Sequence, residues 1–280
     1  MEEIKIDSTI RLNNGVDIPR FGFGTYRARR GSETENAILW ALEAGYRLID
    51  TAALYGNEKS VGIAIKKSEI PRSEIFVTTK LWNSDHGYDS AIQALELSLK
   101  KLNLDYVDLY LIHWPVRKTR LDSWRALEKL LNSGNARAIG VSNYRIDHLE
   151  ELIEVSNTIP CINQVEFSPY TFQRELLDYC NTHDIQLEAY SPLTKGRKLN
   201  DPKLLKIASD YSKTAAQILL RWCLQKNIVV ISKSSSKERI IENAGIFNFT
   251  LNPKDMEILD EFDENLRTGW NPYSEKLFYA

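Results

Sequence analysis

RLIDTAALYGNE, residues 47–58, contains in miniature the pattern from which the whole fold is read. Leu48 and Ile49, following Tyr46, make a short apolar run that reads as a buried strand, and Asp50 ends it. Beyond the loop, Val61, Ala64 and Ile65 recur at helical spacing, which predicts a helix near 57–67. The stretch is therefore one strand, one loop and the start of one helix. Packing alone does not select an acid at the strand's end and a tyrosine, Tyr55, in the loop that follows.

The same unit recurs on both sides. Upstream, RFGFGT (20–25) reads as a strand. Ser32 and Glu35 then make an S-x-x-E capping box before a helix with Ile38, Ala41 and Leu42 on one face, stopped by Gly45. Downstream, strands are predicted at 74–80, 106–114, 136–143, 161–167, 185–191 and 227–234. Helical patterns follow each one, with two helices near 203–211 and 214–226 after the seventh strand. Two more, near 237–244 and 254–263, follow the eighth. Strict alternation implies parallel strands joined by helical crossovers. Eight units without a linker or a break in composition predict one domain, residues 1–280, folded as a (β/α)8 TIM barrel of the α/β class. Extra helices are expected near the C-terminus. The alternative, a doubly wound open sheet, lacks its phosphate fingerprint, because GFGTYR has Arg27 where the third glycine belongs. Ile4 and Ile6, then after a turn Ile10 and Leu12, alternate ahead of Asn14-Gly15 and predict an N-terminal β-hairpin or strand pair over one end of the barrel.

Composition narrows the function. With 36 Lys and Arg against 38 Asp and Glu, the net charge of -2 offers no electrostatic footprint for nucleic acid or an acidic membrane. The 3 cysteines are odd in number and far apart, and match neither a disulfide framework nor a zinc pattern. The opening MEEIKID lacks the basic start and apolar core of a signal peptide, and no run approaches the ~20 apolar residues of a membrane span. A soluble, monomeric, cytoplasmic protein is expected.

In such a barrel the active site lies at the C-terminal ends of the strands. Those ends carry Asp50 (then Tyr55), Lys80, His113-Trp114, Ser142-Asn143, Gln164 and Glu166, Tyr190-Ser191, and Lys233-Ser234. Each alone has an ordinary explanation: a turn acid, a solvated lysine, a structural histidine, a packed tyrosine. One fold places them all at one mouth, and that convergence is the argument. Tyrosine, with its ordinary pKa of about 10, exchanges protons poorly near neutrality, and a neighbouring Lys80 ammonium is expected to lower it. Asp50 would hold Lys80, and His113 would donate to an oxygen bound beside Tyr55. This is general-acid chemistry toward a developing alkoxide, without metal-ligand spacing and without a nucleophile elbow. It requires a hydride or carbanion partner, hence a cofactor. SKSSSKERIIEN (232–243) puts Lys233, serines and Arg239 at a helix start, a phosphate site. Tyr190 offers a face to a flat heterocycle, and Asn143 and Gln164 suit a carboxamide.

LIDTAALYGNE, TTKLW, LIHWP, IGVSNY, INQVEFSPY, AYSPL and ISKSSSKERIIEN together resemble, in order, the signature segments of the aldo-keto reductases. The short connecting loops are most similar to those of the prokaryotic, diketogluconate reductase-like branch. The resemblance spans roughly residues 15–272. It implies a barrel that binds NADPH in extended form and reduces a small-molecule carbonyl, with a tetrad of Asp50, Tyr55, Lys80 and His113. It further implies nicotinamide contacts from Ser142, Asn143 and Gln164, stacking by Tyr190, and Gly24 and Thr25 in the first cofactor loop. Ser191 and Leu193 fall at the pyrophosphate, Lys233, Ser234, Ser235 and Arg239 at the 2′-phosphate, and Glu242 and Asn243 at the adenine. Tyr26, Trp82 and Trp114 correspond to substrate-pocket walls. Ser232 stands where the family often has proline, which is expected to loosen the clamp loop. Two rival functions remain at this stage: a Schiff-base aldolase using Lys80, and a non-catalytic NADPH-binding scaffold or sensor.

Overall fold

A computed structural model describes residues 4–272 of the 280-residue chain. Its first two strands, β1 (Thr9–Arg11) and β2 (Asp17–Pro19), pair antiparallel with Ile10 opposite Ile18. The hairpin turns at Asn14-Gly15, where Gly15 adopts φ 84° and its amide donates to the Leu12 carbonyl at 2.9 Å. The expected alternation from Ile4 does not take part. Ile6 instead lies against Gly45, where a Cβ would come within 3.1 Å of its side chain. Asn13 donates to the Pro160 and Asp184 carbonyls, and Asn14 to that of Arg137, so the hairpin is tied to the chain entering three barrel strands. It covers the end opposite the site.

Eight parallel strands follow: β3 (Phe21–Gly24), β4 (Leu48–Asp50), β5 (Phe76–Leu81), β6 (Val107–Ile112), β7 (Ala136–Ser142), β8 (Ile162–Glu166), β9 (Gln186–Tyr190) and β10 (Val229–Ser232). They close into a barrel in the order β10-β3-β4-β5-β6-β7-β8-β9. These strands bury both faces, which is why they read as continuous apolar runs rather than as alternation. The lower interior is filled by Leu48, Phe76, Leu109, Leu111, Ile162 and Ile231, with Leu12 and Ile18 of the hairpin plugging it from below. The larger core lies between the barrel and its helices, with Trp124 and Trp222 fully enclosed.

The crossovers are α1 (Ser32–Glu43), α2 (Glu58–Lys67), α3 (Tyr88–Leu102), α4 (Arg120–Asn132), α5 (Ile146–Val155) and α6 (Arg174–Thr182). The pairs α7 (Pro202–Asp210) and α8 (Ala215–Gln225), then α9 (Lys237–Ala244) and α10 (Pro253–Asp260), supply the extra helices expected. One local expectation fails. Ser32 is already inside α1, whose N-cap is Gly31, and no side-chain capping bond forms. The Gly31 amide is satisfied from another helix, by Ser60 Oγ at 2.8 Å, and Glu35 turns outward to Lys67 at 2.7 Å. A tertiary donor–acceptor pair thus replaces the local box. Gly45 does end the helix, at φ 96°.

Candidate active site

Asp50 ends β4, and Lys80 lies one residue from the end of β5, the adjacent strand. Lys80 is completely buried, and its Nζ donates to both Asp50 oxygens (2.7 and 2.6 Å) and to the Thr51 carbonyl (2.9 Å). A buried charge is tolerable only when paired and hydrogen-bonded in this way. Tyr55 closes a single 3₁₀ turn, Ala53–Tyr55, ended by Gly56 at φ 66°, and its hydroxyl stands 3.4 Å from Lys80 Nζ. The His113 ring, at the first position beyond β6, meets the Tyr55 ring edge-on at 5.7 Å. The four polar groups converge on one point at the barrel mouth.

Their electrostatics depart from the expectation in one respect. Burial, and then the Asp50 charge, hold the Tyr55 phenol well above its usual 10 rather than below it. The long 3.4 Å donation from Lys80, whose charge is matched by Asp50, does not offset that burial. Tyr55 is therefore protonated at any physiological pH, as a proton donor to an alkoxide must be. Burial, and then the Lys80 charge, hold His113 well below 6.5, so the imidazole is neutral. Its Nδ1 is buried without a partner in the protein.

The support beneath is polar and enclosed. Thr25 is buried, and its amide and hydroxyl both donate to the Asp50 carbonyl at 3.0 Å. Asn57 accepts from Thr51 Oγ1 at 3.0 Å and donates to the Thr25 carbonyl at 2.9 Å, bracing the first two loops. Ser142 Oγ donates to the Gln164 carbonyl, while Asn143, at φ 63°, donates to the His113 carbonyl and accepts from the Tyr190 hydroxyl at 2.8 Å. Gln164 Nε2 donates to Asp50 Oδ2 (2.9 Å) and to Glu188 Oε2 (2.8 Å). Gly24 is a close approach: a Cβ there would lie 2.8 Å from the Ile231 side chain.

The remaining expected residues follow β9 and β10 in the chain. Ser191 occupies the left-handed region (φ 51°) in the turn after β9, with Leu193 two residues on. Lys233 Nζ donates to Ser235 Oγ at 3.0 Å, Ser234 Oγ accepts from the Ser236 amide, and Ser236 caps α9 by accepting from the Arg239 amide. Lys233 is depressed below its ordinary value by burial, and the Arg239 side chain is exposed. Ser232 is buried with its hydroxyl 3.4 Å from that of Tyr46, which donates to the Ile240 carbonyl, so the clamp loop is tied to α9. Asn243 is buried, while Glu242 is exposed and accepts from Thr214 Oγ1 at 2.9 Å.

Aromatic rings rim the mouth. Tyr26 lies 5.0 Å from the Tyr55 ring, and Trp82 lies 5.3 Å from His113. Trp114 joins them through a residue that strand-end reasoning missed, Trp270, whose ring is 5.8 Å from Trp82 and 5.5 Å from Trp114. Its segment is held by Glu166, which accepts from the Thr268 amide at 2.8 Å and the Gly269 amide at 3.3 Å. Glu188 and Asn57 were missed as well. A glutamate in the middle of the strand IQLEAYS, between Leu187 and Ala189, was the available signal for the first.

Among the described residues no cluster could hold a metal ion, and no helix is long and apolar enough to cross a membrane. The model of the Aldo/keto reductase family matches residues 20–264. Glyoxal reductase of Bacillus subtilis (strain 168) is 49% identical over 273 residues, 98% of this chain and 99% of that protein. Among solved structures, an aldo/keto reductase from Brucella melitensis superposes with a TM-score of 0.89 at 48% identity, covering 91% of this chain and 99% of its own. A Bombyx mori aldo-keto reductase in complex with NADP gives 0.89 at 37% identity, covering 94% and 95%.

Proposed function

The chain belongs to the aldo/keto reductase family and is an NADP-dependent oxidoreductase, and we propose that Asp50, Tyr55, Lys80 and His113 are its catalytic tetrad, with Tyr55 as general acid. The observation that carries this reading is the placement of a protonated Tyr55 hydroxyl 3.4 Å from a fully buried Lys80 whose charge is fixed by Asp50.

The residues present fit an extended NADPH. Gln164 Oε1 remains free to accept when both Nε2 hydrogens are taken. Lys233, Ser234, Ser235 and Arg239 at the start of α9 suit a 2′-phosphate. Ser142, Asn143 and Gln164 would hold the carboxamide, Tyr190 the ring, Ser191 and Leu193 the pyrophosphate, and Glu242 and Asn243 the adenine. When bound, the nicotinamide supplies the hydride. Neutral His113 donates to the substrate carbonyl oxygen and orients it. Tyr55 gives its proton to that oxygen as negative charge develops there, and the Lys80 ammonium stabilises the phenolate left behind. Asp50 keeps Lys80 charged and in place, which counts against a Schiff-base role for this lysine.

Tyr26, Trp82, Trp114 and Trp270 would enclose the substrate in an open aromatic box. Similarity to glyoxal reductase supports small aldehydes and α-dicarbonyls as substrates. We read it as a single-domain cytoplasmic monomer, and its near-neutral charge supports the absence of nucleic-acid binding. The test is loss of reduced-nicotinamide absorbance with NADPH and NADH across aldehydes, ketones, sugars and α-dicarbonyls. Turnover is expected with NADPH, and tight NADPH binding without turnover across the panel would overturn the catalytic reading in favour of a scaffold.

A further inference from the structure

Inside the barrel below Tyr55, one amide nitrogen is shared by two acids. Gln164 on β8 donates from Nε2 to Asp50 on β4 and to Glu188 on β9, which stands opposite Gln164 in the strand register. Glu188 is completely buried. The nearby cation, Lys80 on β5, donates to Asp50, Thr51 and Tyr55. The other Glu188 oxygen, Oε1, is buried with no hydrogen-bond partner in the protein. An ionised carboxylate with one bare, buried oxygen beside a second anion is far costlier than a neutral acid whose single hydroxyl lacks an acceptor.

We propose that Glu188 is a positioning residue of this reductase: a neutral carboxylic acid that, with Asp50, pins both amide hydrogens of Gln164 and leaves only its carbonyl oxygen to face the nicotinamide carboxamide. This rests on the assignment of Gln164 to the carboxamide. Burial, and then the Asp50 charge, push the Glu188 carboxyl up to about 8, which agrees with the geometry. Its loss of a proton on the alkaline side places a second negative charge under the ring. That charge favours the cationic ring of NADP⁺ over the neutral ring of NADPH. The other groups facing this floor are the Asp50–Lys80 ion pair, with Tyr55 and His113 above. Tyr55 is held above 10 and His113 below 6.5, so neither changes charge in the window.

The experiment measures dissociation constants of NADP⁺ and NADPH by quenching of intrinsic tryptophan fluorescence between about pH 6.5 and pH 9. The 2′-phosphate is common to both ligands, so its own titration near pH 6 cancels in the ratio. In the wild type, affinity for NADP⁺ relative to NADPH is expected to rise about tenfold across this range. Glu188→Gln keeps the acceptor and the shape without the charge, so its ratio is expected to stay flat at the wild-type neutral-pH value. Glu188→Ala frees the Gln164 amide and should weaken both ligands about three- to tenfold. A flat wild-type ratio, a Glu188→Gln variant with the wild-type inflection, or a Glu188→Ala variant with unchanged affinities would each overturn the proposal. Tyr55→Phe separates this from the general-acid reading. It should keep the wild-type binding profile while losing turnover, and turnover at the wild-type rate would sink the general acid without touching the binding result.

Discussion

Lys80 Nζ lies 2.7 and 2.6 Å from the two carboxylate oxygens of Asp50, and the lysine is sealed from solvent. Removing one member of such a pair strands the other as an uncompensated charge. Asp50→Asn should therefore destabilise the fold by roughly 3–5 kcal/mol as well as reduce activity. Urea unfolding of the variant beside kinetics tests this, and wild-type stability would show that the pair is better solvated than the geometry indicates.

Tyr55→Phe keeps the ring against Tyr26 and His113 and removes only the hydroxyl. Loss of a general acid costs about 10²–10⁴-fold in rate. NADPH affinity should be unchanged by fluorescence titration while kcat falls by that factor, and retained turnover would refute the assignment of the proton donor.

At the other end of the proposed cofactor site, Lys233→Ala and Arg239→Ala each remove a cation from the start of α9. Each charge-assisted hydrogen bond is worth about 1.5–3 kcal/mol, so NADPH should weaken roughly 10–100-fold per variant while NADH changes little. Equal losses for both cofactors would move the 2′-phosphate elsewhere.

Trp270 sits 45% exposed against Trp82 and Trp114. Aromatic pairs are worth about 0.5–1.5 kcal/mol beyond burial. Trp270→Ala should raise KM for hydrophobic aldehydes about two- to tenfold with kcat nearly intact, while glyoxal-sized substrates should be almost unaffected. A fall in kcat without a change in KM would place this residue in the chemistry rather than the wall.

Glu188 also links stability to pH. The unfolded chain releases this proton near the ordinary 4.5, whereas the folded chain holds it to about 8. The folded state thus binds the extra proton between those values, and its contribution to stability is lost as pH rises through the window. Glu188→Gln abolishes that loss. Its stability relative to wild type should grow from pH 5 to pH 8 by up to a few kcal/mol, read from urea midpoints at both pH values. A constant difference would mean that Glu188 is ionised throughout.

Strand and helix positions were legible because a barrel strand buries both faces and its helix buries one, and each leaves its own period in the chain. The proposed tetrad was legible for a related reason: Asp50, Lys80 and His113 all fall at strand ends, and the barrel topology turns strand ends into one mouth. Ser32 shows where local signals give out. Its capping box was chemically sound, but Ser60 from another helix satisfied the Gly31 amide instead. The hairpin boundary went wrong for the same reason, because Ile6 found a neighbour in Gly45 rather than a strand partner.

By itself, the order of residues determined an eight-fold βα alternation, the acids and bases at its strand ends, and the cation–serine cluster before α9. Periodicity and position along a strand are properties of the chain alone. Tertiary structure decided that burial beside Asp50 keeps Tyr55 protonated, that Trp270 returns from beyond α10 to wall the mouth, and that Glu188 shares an amide with Asp50. Those outcomes depend on distance and burial between residues far apart in the chain, and protonation follows from the surroundings that only the closed barrel creates.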